Sequence, residues 1–255
     1  MANYYFLITA LPPLALGIKP EISFGEMKEL LTLNLAERDK KLVQHLLRPI
    51  DLSNIRAVWL GFPIDERGNF DEKELEEALL VQGEVPTYLV DFLEKYESIP
   101  ERLRYFSSLY ASLYRKEFKG FLGKYYKFQR ELRLVLTALR AKRFKKDIVR
   151  ELQFEDPYDP FAFEILAQKD APDYTPPGEY EDLKTVFMET ISDPQKLHFA
   201  LLQYQFDRIE EMEEPQDFSI DRVLSYVARL ILVESWEELD QDKGHTAVEH
   251  LSHYG

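Results

Sequence analysis

Gly120-Phe-Leu-Gly123-Lys124 is the run in this 255-residue chain whose residue types come closest to a phosphate cradle. In such a cradle the backbone N–H groups of a glycine-rich turn and a lysine ammonium face an anion. The spacing is short of the phosphate-loop pattern, Tyr125 stands where a Ser or Thr hydroxyl would hold magnesium, and no strand-like run precedes it. A calcium loop begun at Asp65 puts Asn69 and Glu76 at the fifth and twelfth ligand positions. Arg67 then falls on the third and Phe70 replaces the turn glycine at the sixth, so residues 65–69 read as a turn. His245, Glu249 and His250 have one residue too many between them for an inverted zinc-protease motif, and with His253 they suit adventitious metal alone. His45 and His198 have no sequence neighbours that complete a triad or a metal site, and 46 acidic residues are too many to single out a pair. The sequence offers no catalytic residue, no cofactor site and no metal site.

The elements that would carry any site read as helices. Apolar and aromatic residues recur mostly in steps of three and four from Leu103 through Phe106, Tyr110, Tyr114, Phe118, Phe121, Tyr125, Phe128, Leu132, Val135/Leu136 and Leu139 to Phe144. That is one face of a helix or of two abutting helices, and a continuous one would run roughly 60 Å. Gly120 and Gly123 mark where it bends or stops. Rings at this spacing read as helix packing rather than as a cofactor box. Elsewhere the spacing predicts helices over 24–35, 37–48 with Pro49 as the stop, 55–60 running into Gly61, 72–81, 88–96, 179–190, 194–211 and 219–239. Asp51 and Ser53 are the candidate N-caps of the helix over 55–60. Proline-bearing breaks fall at 156–160 and 170–178, and no alternating strand of useful length is present. The expectation is one elongated, all-α, multi-helix protein over 1–255, with sub-boundaries near 61–71, 155–160 and 170–178.

Composition narrows the function classes. A hydrophobic content of 45% suits a folded chain, and 46 acidic against 32 basic residues give a net charge of −14, which disfavours a bulk role on nucleic acid or anionic lipid. Without cysteine there is no disulfide, thiol nucleophile or thiolate metal site. The apolar run Tyr4 to Leu16 is too short to span a bilayer, is broken by Pro12 and Pro13, and lacks a basic start, so the expected location is cytoplasmic. Against this acidic background Arg130, Arg133, Arg140, Lys142, Arg143, Lys145, Lys146 and Arg150 fall within 21 residues that hold only two acids, Glu131 and Asp147. Segregation on that scale makes a surface able to steer an acidic partner, unless the cations pair with the chain's own acids.

Four stretches carry a resemblance to a known family: Tyr4-Tyr-Phe-Leu-Ile-Thr-Ala-Leu-Pro-Pro-Leu14, Ile50-Asp-Leu-Ser-Asn-Ile-Arg-Ala-Val-Trp59, the run from Glu131 to Lys142 with Glu151-Leu-Gln-Phe-Glu-Asp156, and Phe218-Ser-Ile-Asp-Arg-Val-Leu224. Over essentially its whole length the chain resembles a bacterial family labelled only as a domain of unknown function, whose members are encoded among the components of V-type (A-type) ATPases. They occupy the place of the C-type component, called d-type in eukaryotes, a helical funnel on the rotor ring that receives the foot of the shaft. Asp51-x-x-Asn54-Ile55-Arg56 is similar to a segment repeated in that C-type funnel protein, though here it occurs clearly once and the chain is shorter. The resemblance implies a fold like the funnel's and a non-catalytic adaptor of the central stalk, peripheral on the membrane, whose partners are the central-shaft subunits and the membrane rotor ring. It carries no catalytic residue and no cofactor. Two other classes remain beside it: a helical interaction scaffold unrelated to the ATPase, and an enzyme whose carboxylates leave no linear motif.

Overall fold

Short polar residues ahead of apolar runs set most helix starts. The computed structural model describes residues 4–82, 85–214 and 218–238, and among them it is 69% helical with no strand. The order is α1 (Tyr5–Ala10), α2 (Phe24–Asn34), α3 (Glu37–Leu60), α4 (Glu72–Val81), α5 (Thr87–Lys95), α6 (Ile99–Arg104), α7 (Ser107–Tyr114), α8 (Gly120–Arg143), α9 (Ile148–Glu151), α10 (Pro160–Leu166), α11 (Glu181–Thr190), α12 (Pro194–Glu211) and α13 (Ile220–Glu237). Ser23, Asp71 and Ser98 each take the N–H of the residue three places on, and Glu26, Glu74 and Glu101 return the bond. These capping boxes satisfy N–H groups that have no partner inside the helix. The predicted spans 72–81 and 194–211 are met residue for residue; Leu239, the predicted end of the last helix, lies outside the described residues.

α13 is the hub. Val223, Leu224, Val227, Leu230 and Val233 are wholly buried, and neighbours on its other sides bury Tyr226, Ala228 and Leu232. A helix apolar around most of its circumference belongs in the middle of a core, and α13 packs against α12, α8, α2 and α3. On α8 the residues Leu134, Val135 and Ala138 are equally sealed.

Most other expected ends shift by one or two residues, and two readings differ more deeply. Pro49 does not stop a helix: α3 runs through it for 24 residues and ends at Gly61, whose φ of 73° makes the left-handed cap. Proline removes the N–H that would bond the carbonyl four residues back, that of His45. The Tyr126 hydroxyl of α8 donates to this carbonyl at 2.6 Å, so a distant side chain replaces the missing amide. The aromatic stripe, in turn, is not one rod. It bends at Tyr105–Phe106 and leaves helical structure over Arg115–Lys119, so α6, α7 and α8 carry it in three pieces. Its rings stack on one another, Tyr110 on Tyr114, and Tyr114 and Phe118 edge-on to Tyr126. They are packing, as the spacing predicts.

Candidate docking surface

The glycine-lysine run at 120–124 and the 65–69 segment each have a structural occupation. Gly120 opens α8 at φ 65°, and a Cβ there would overlap the carboxylate of Asp221. That carboxylate accepts the Phe121 N–H at 3.0 Å and places a negative charge on the positive end of the helix dipole. A second anion is repelled there. Gly123 lets α8 pass the Phe118 carbonyl, which a Cβ would overlap. Residues 65–69 form a turn against α3. Asn54 donates to the Asp65 carbonyl and accepts the Asp65 N–H, both at 2.8 Å, while Asp51 accepts the Asn69 N–H at 2.7 Å and its amide at 2.6 Å. Gly68 is required because a Cβ would lie 2.9 Å from Asn54 Nδ2. The buried Arg67 then ties the turn to α13, donating to Asp65 and, at 2.8 Å, to Glu238. The Asp51-x-x-Asn54 block is therefore a handle for a loop. Neither Asp51 nor Ser53 caps a helix, since both lie inside α3.

The two described histidines, His45 and His198, do not form a site together. His198 is held in its neutral form by burial and stacks on Trp236. His45 is pushed down to about 4 by burial, and then by the Arg48 and Lys116 charges. His245, His250 and His253 lie outside the described residues. No cluster of three His or acidic residues able to hold a metal occurs among the described residues.

The basic segment divides in two. Arg130 reaches Glu155 at 3.0 Å and Asp159 at 3.1 Å, and Arg133 also pairs with Glu155, whose side chain is almost fully buried. Lys142 donates to the carbonyls of Lys169 and Ala171 at 2.7 and 2.5 Å and pins the loop after α10. These three cations are turned inward. Arg140, Arg143, Lys145, Lys146 and Arg150 are exposed, and none forms an ion pair among the described residues.

The end of α8 fixes how the outward group is displayed. Lys146 N–H bonds the Ala141 carbonyl at 2.8 Å and Lys145 N–H that of Lys142 at 3.3 Å, the two bonds of a Schellman motif. Its left-handed position, where glycine is favoured, is held by Lys145 at φ 54°. Phe144 is 60% exposed and Val149 46% exposed, so two apolar side chains stand among the cations. The periodicity placed Phe144 in the packed stripe. The missed signal is its setting, Lys142-Arg-Phe-Lys-Lys146, in which a ring is flanked by cations on both sides.

A family model described as "Protein of unknown function (DUF2764)" matches residues 1–253. The chain belongs to the DUF2764 family. It is similar to an uncharacterized protein of Chlamydia muridarum, 34% identical over 241 residues that cover 91% of each chain. It is also similar to an uncharacterized protein of Chlamydia trachomatis serovar D, 31% identical over 254 residues, covering 95% of this chain and 96% of the other. No solved structure matches the chain. Among the described residues, no helix is long and apolar enough to cross a membrane.

Proposed function

We propose that this DUF2764 protein is a non-catalytic adaptor of a V-type ATPase, seated in the central stalk between the shaft subunits and the membrane rotor ring, and that it docks through the basic end of α8. The observation that carries the reading is the outward half of the basic segment: five exposed cations around Phe144 and Val149, in a chain of net charge −14. Such a patch attracts an acidic partner at range and offers apolar area at contact. The resemblance to the family encoded with V-type ATPase components supplies the partner. A part that transmits torque needs stiff packed helices and needs no nucleophile or metal, and the aromatic packing of α7 against α8 suits that task. The protein would sit peripherally on the cytoplasmic face of the membrane, held there by the complex.

The test is purification from the host's own membranes with a tag on this chain. Wild-type protein should bring down the catalytic subunits, the shaft and the rotor ring, and a salt wash should release it, because exposed charge pairs are screened. Replacing Arg143, Lys145 and Lys146 together with Glu should abolish recovery while leaving the helical circular-dichroism signal unchanged. Lys142 stays intact in this variant because it holds the loop at 169–171. Recovery of the chain alone from membranes with an intact ATPase overturns the adaptor reading. Undiminished recovery by the triple variant removes the basic end of α8 from it.

A further inference from the structure

An open groove of about 450 Å³ runs between the end of α1 and the outer face of α2. Ala10 and Pro12 form one wall, Ile22 lies at the entry to α2, and Leu30 and Leu33 form the other wall. α2 turns Phe24, Met27 and Leu31 into the core. Glu26, Glu29, Leu30 and Leu33 recur in steps of three and four and make its opposite face. Ile22 and Leu30 are half-buried against the core, whereas Leu33 is 82% exposed. Phe6, 86% exposed, lies one turn before Ala10 on the same side of α1 and extends the apolar strip. The strip therefore has apolar area left to give to a partner.

Every charged residue that lines the groove is an acid: Glu21, Glu26 and Glu29. None of the three forms an ion pair among the described residues. The Ser23 N–H and hydroxyl donate to Glu26 at 2.8 and 2.7 Å and hold its carboxyl below the usual range, so it stays charged. Lys28, the cation of α2, projects from the other side of the helix, where its charge acts on Asp51 of α3. An acid-rimmed apolar strip turns away anionic lipid and carboxylate ligands and favours cations set around an apolar stripe. Helical walls close their own backbone bonds, and no strand edge is present among the described residues, so the groove offers nothing to the main chain of an extended peptide. A helix satisfies its own backbone and presents an apolar stripe bordered by charge.

We propose that this groove docks a basic amphipathic helix of a partner protein, its apolar side on Pro12, Ile22, Leu30 and Leu33 and its cations over Glu21, Glu26 and Glu29. The groove shares no residue with the basic end of α8 and stands whether or not the adaptor reading does. The chain then carries two apolar docking surfaces of opposite charge, which suits it to join two different proteins.

The probe is a leucine–lysine peptide of about 18 residues, long enough to hold a helix, with leucines at i, i+3, i+4 and i+7. The other arms are a scrambled peptide of the same composition and the same amphipathic peptide with glutamate for lysine. Methyl NMR on the whole chain should show saturable shifts at Ile22, Leu30 and Leu33 with the first peptide. The scrambled peptide should bind about tenfold more weakly or worse, and the glutamate peptide not at all. Leu33→Asp should weaken binding about tenfold, the weight of one leucine contact, and Glu21→Lys with Glu29→Lys should do the same and flatten its salt dependence. These side chains are exposed, so both variants should keep the wild-type melt. Glu76→Lys with Glu94→Lys, the same charge change at exposed positions outside the groove, should leave binding as it is. Equal binding of the scrambled peptide, undiminished binding by either groove variant, or an equal loss in the Glu76 and Glu94 variant overturns the proposal. Sedimentation of the chain alone should show a monomer, and a dimer that Leu33→Asp abolishes overturns the assignment of the groove to a separate partner.

Discussion

Arg130 and Arg133 lie half-buried midway along α8, with Glu155 and Asp159 against them; Arg143, Lys145 and Lys146 stand at its end and form no ion pair among the described residues. Both groups come from one charge run and one helix, yet the first closes the fold and the second leaves charge unmatched at the surface. The difference lies in what the chain does next. After the Schellman turn, α9 carries the backbone toward the middle of α8, so the acid that follows it, Glu155, reaches the early arginines and not the late ones. Charge density along a sequence therefore measures opportunity, and the return path of the backbone decides which cations are spent.

Four variants sharpen or break that contrast. Glu155→Ala should cost most, about 3 kcal/mol in urea unfolding, because it strands the partly buried Arg133 and leaves Arg130 with Asp159 as its remaining acid. A loss below about 1 kcal/mol, typical of exposed pairs, would mean that water already serves them. Lys142→Met should cost about 1.5 kcal/mol, the weight of hydrogen bonds from a charged donor, and should speed amide exchange around residues 169–171. Lys145→Gly should move the other way, gaining about 1 kcal/mol by relieving a left-handed non-glycine residue, while weakening docking. A thermal melt and the membrane purification read the two effects separately. Arg143→Gln with Lys146→Gln should change stability by less than about 0.5 kcal/mol and flatten the salt dependence of docking, as expected for cations outside the fold's own pairing.

The sequence was most legible where the determinants are local. The helix starts expected at 24, 72 and 194 are met because their determinants are local, the caps Ser23, Asp71 and Asp193 lying within three residues of the N–H groups they accept, although the sequence reading names only Asp51 and Ser53 as caps. Gly61 likewise marks its stop through its own backbone freedom. Pro49 misled because the group that compensates for it, Tyr126, belongs to another helix. The basic segment was visible as a block but not as two halves, since Glu155 and Asp159 lie beyond its end. Asp51 and Asn54 stood out as a spaced pair whose task needed the turn at 65–69 to be seen beside them.

The bond from Tyr126 to the His45 carbonyl also bears on how the molecule comes apart. A helix with an internal proline has a built-in weak joint, and the segments on either side would ordinarily breathe independently. Here the joint is closed by α8, so the two halves of α3 share their protection with a different helix. In native-state hydrogen exchange, the amides that follow Pro49 should open together with the first turns of α8. Tyr126→Phe should uncouple them, letting the turn around Asp51 and Asn54, and with it the grip on Arg67 and α13, open at a lower free energy than the rest of the core.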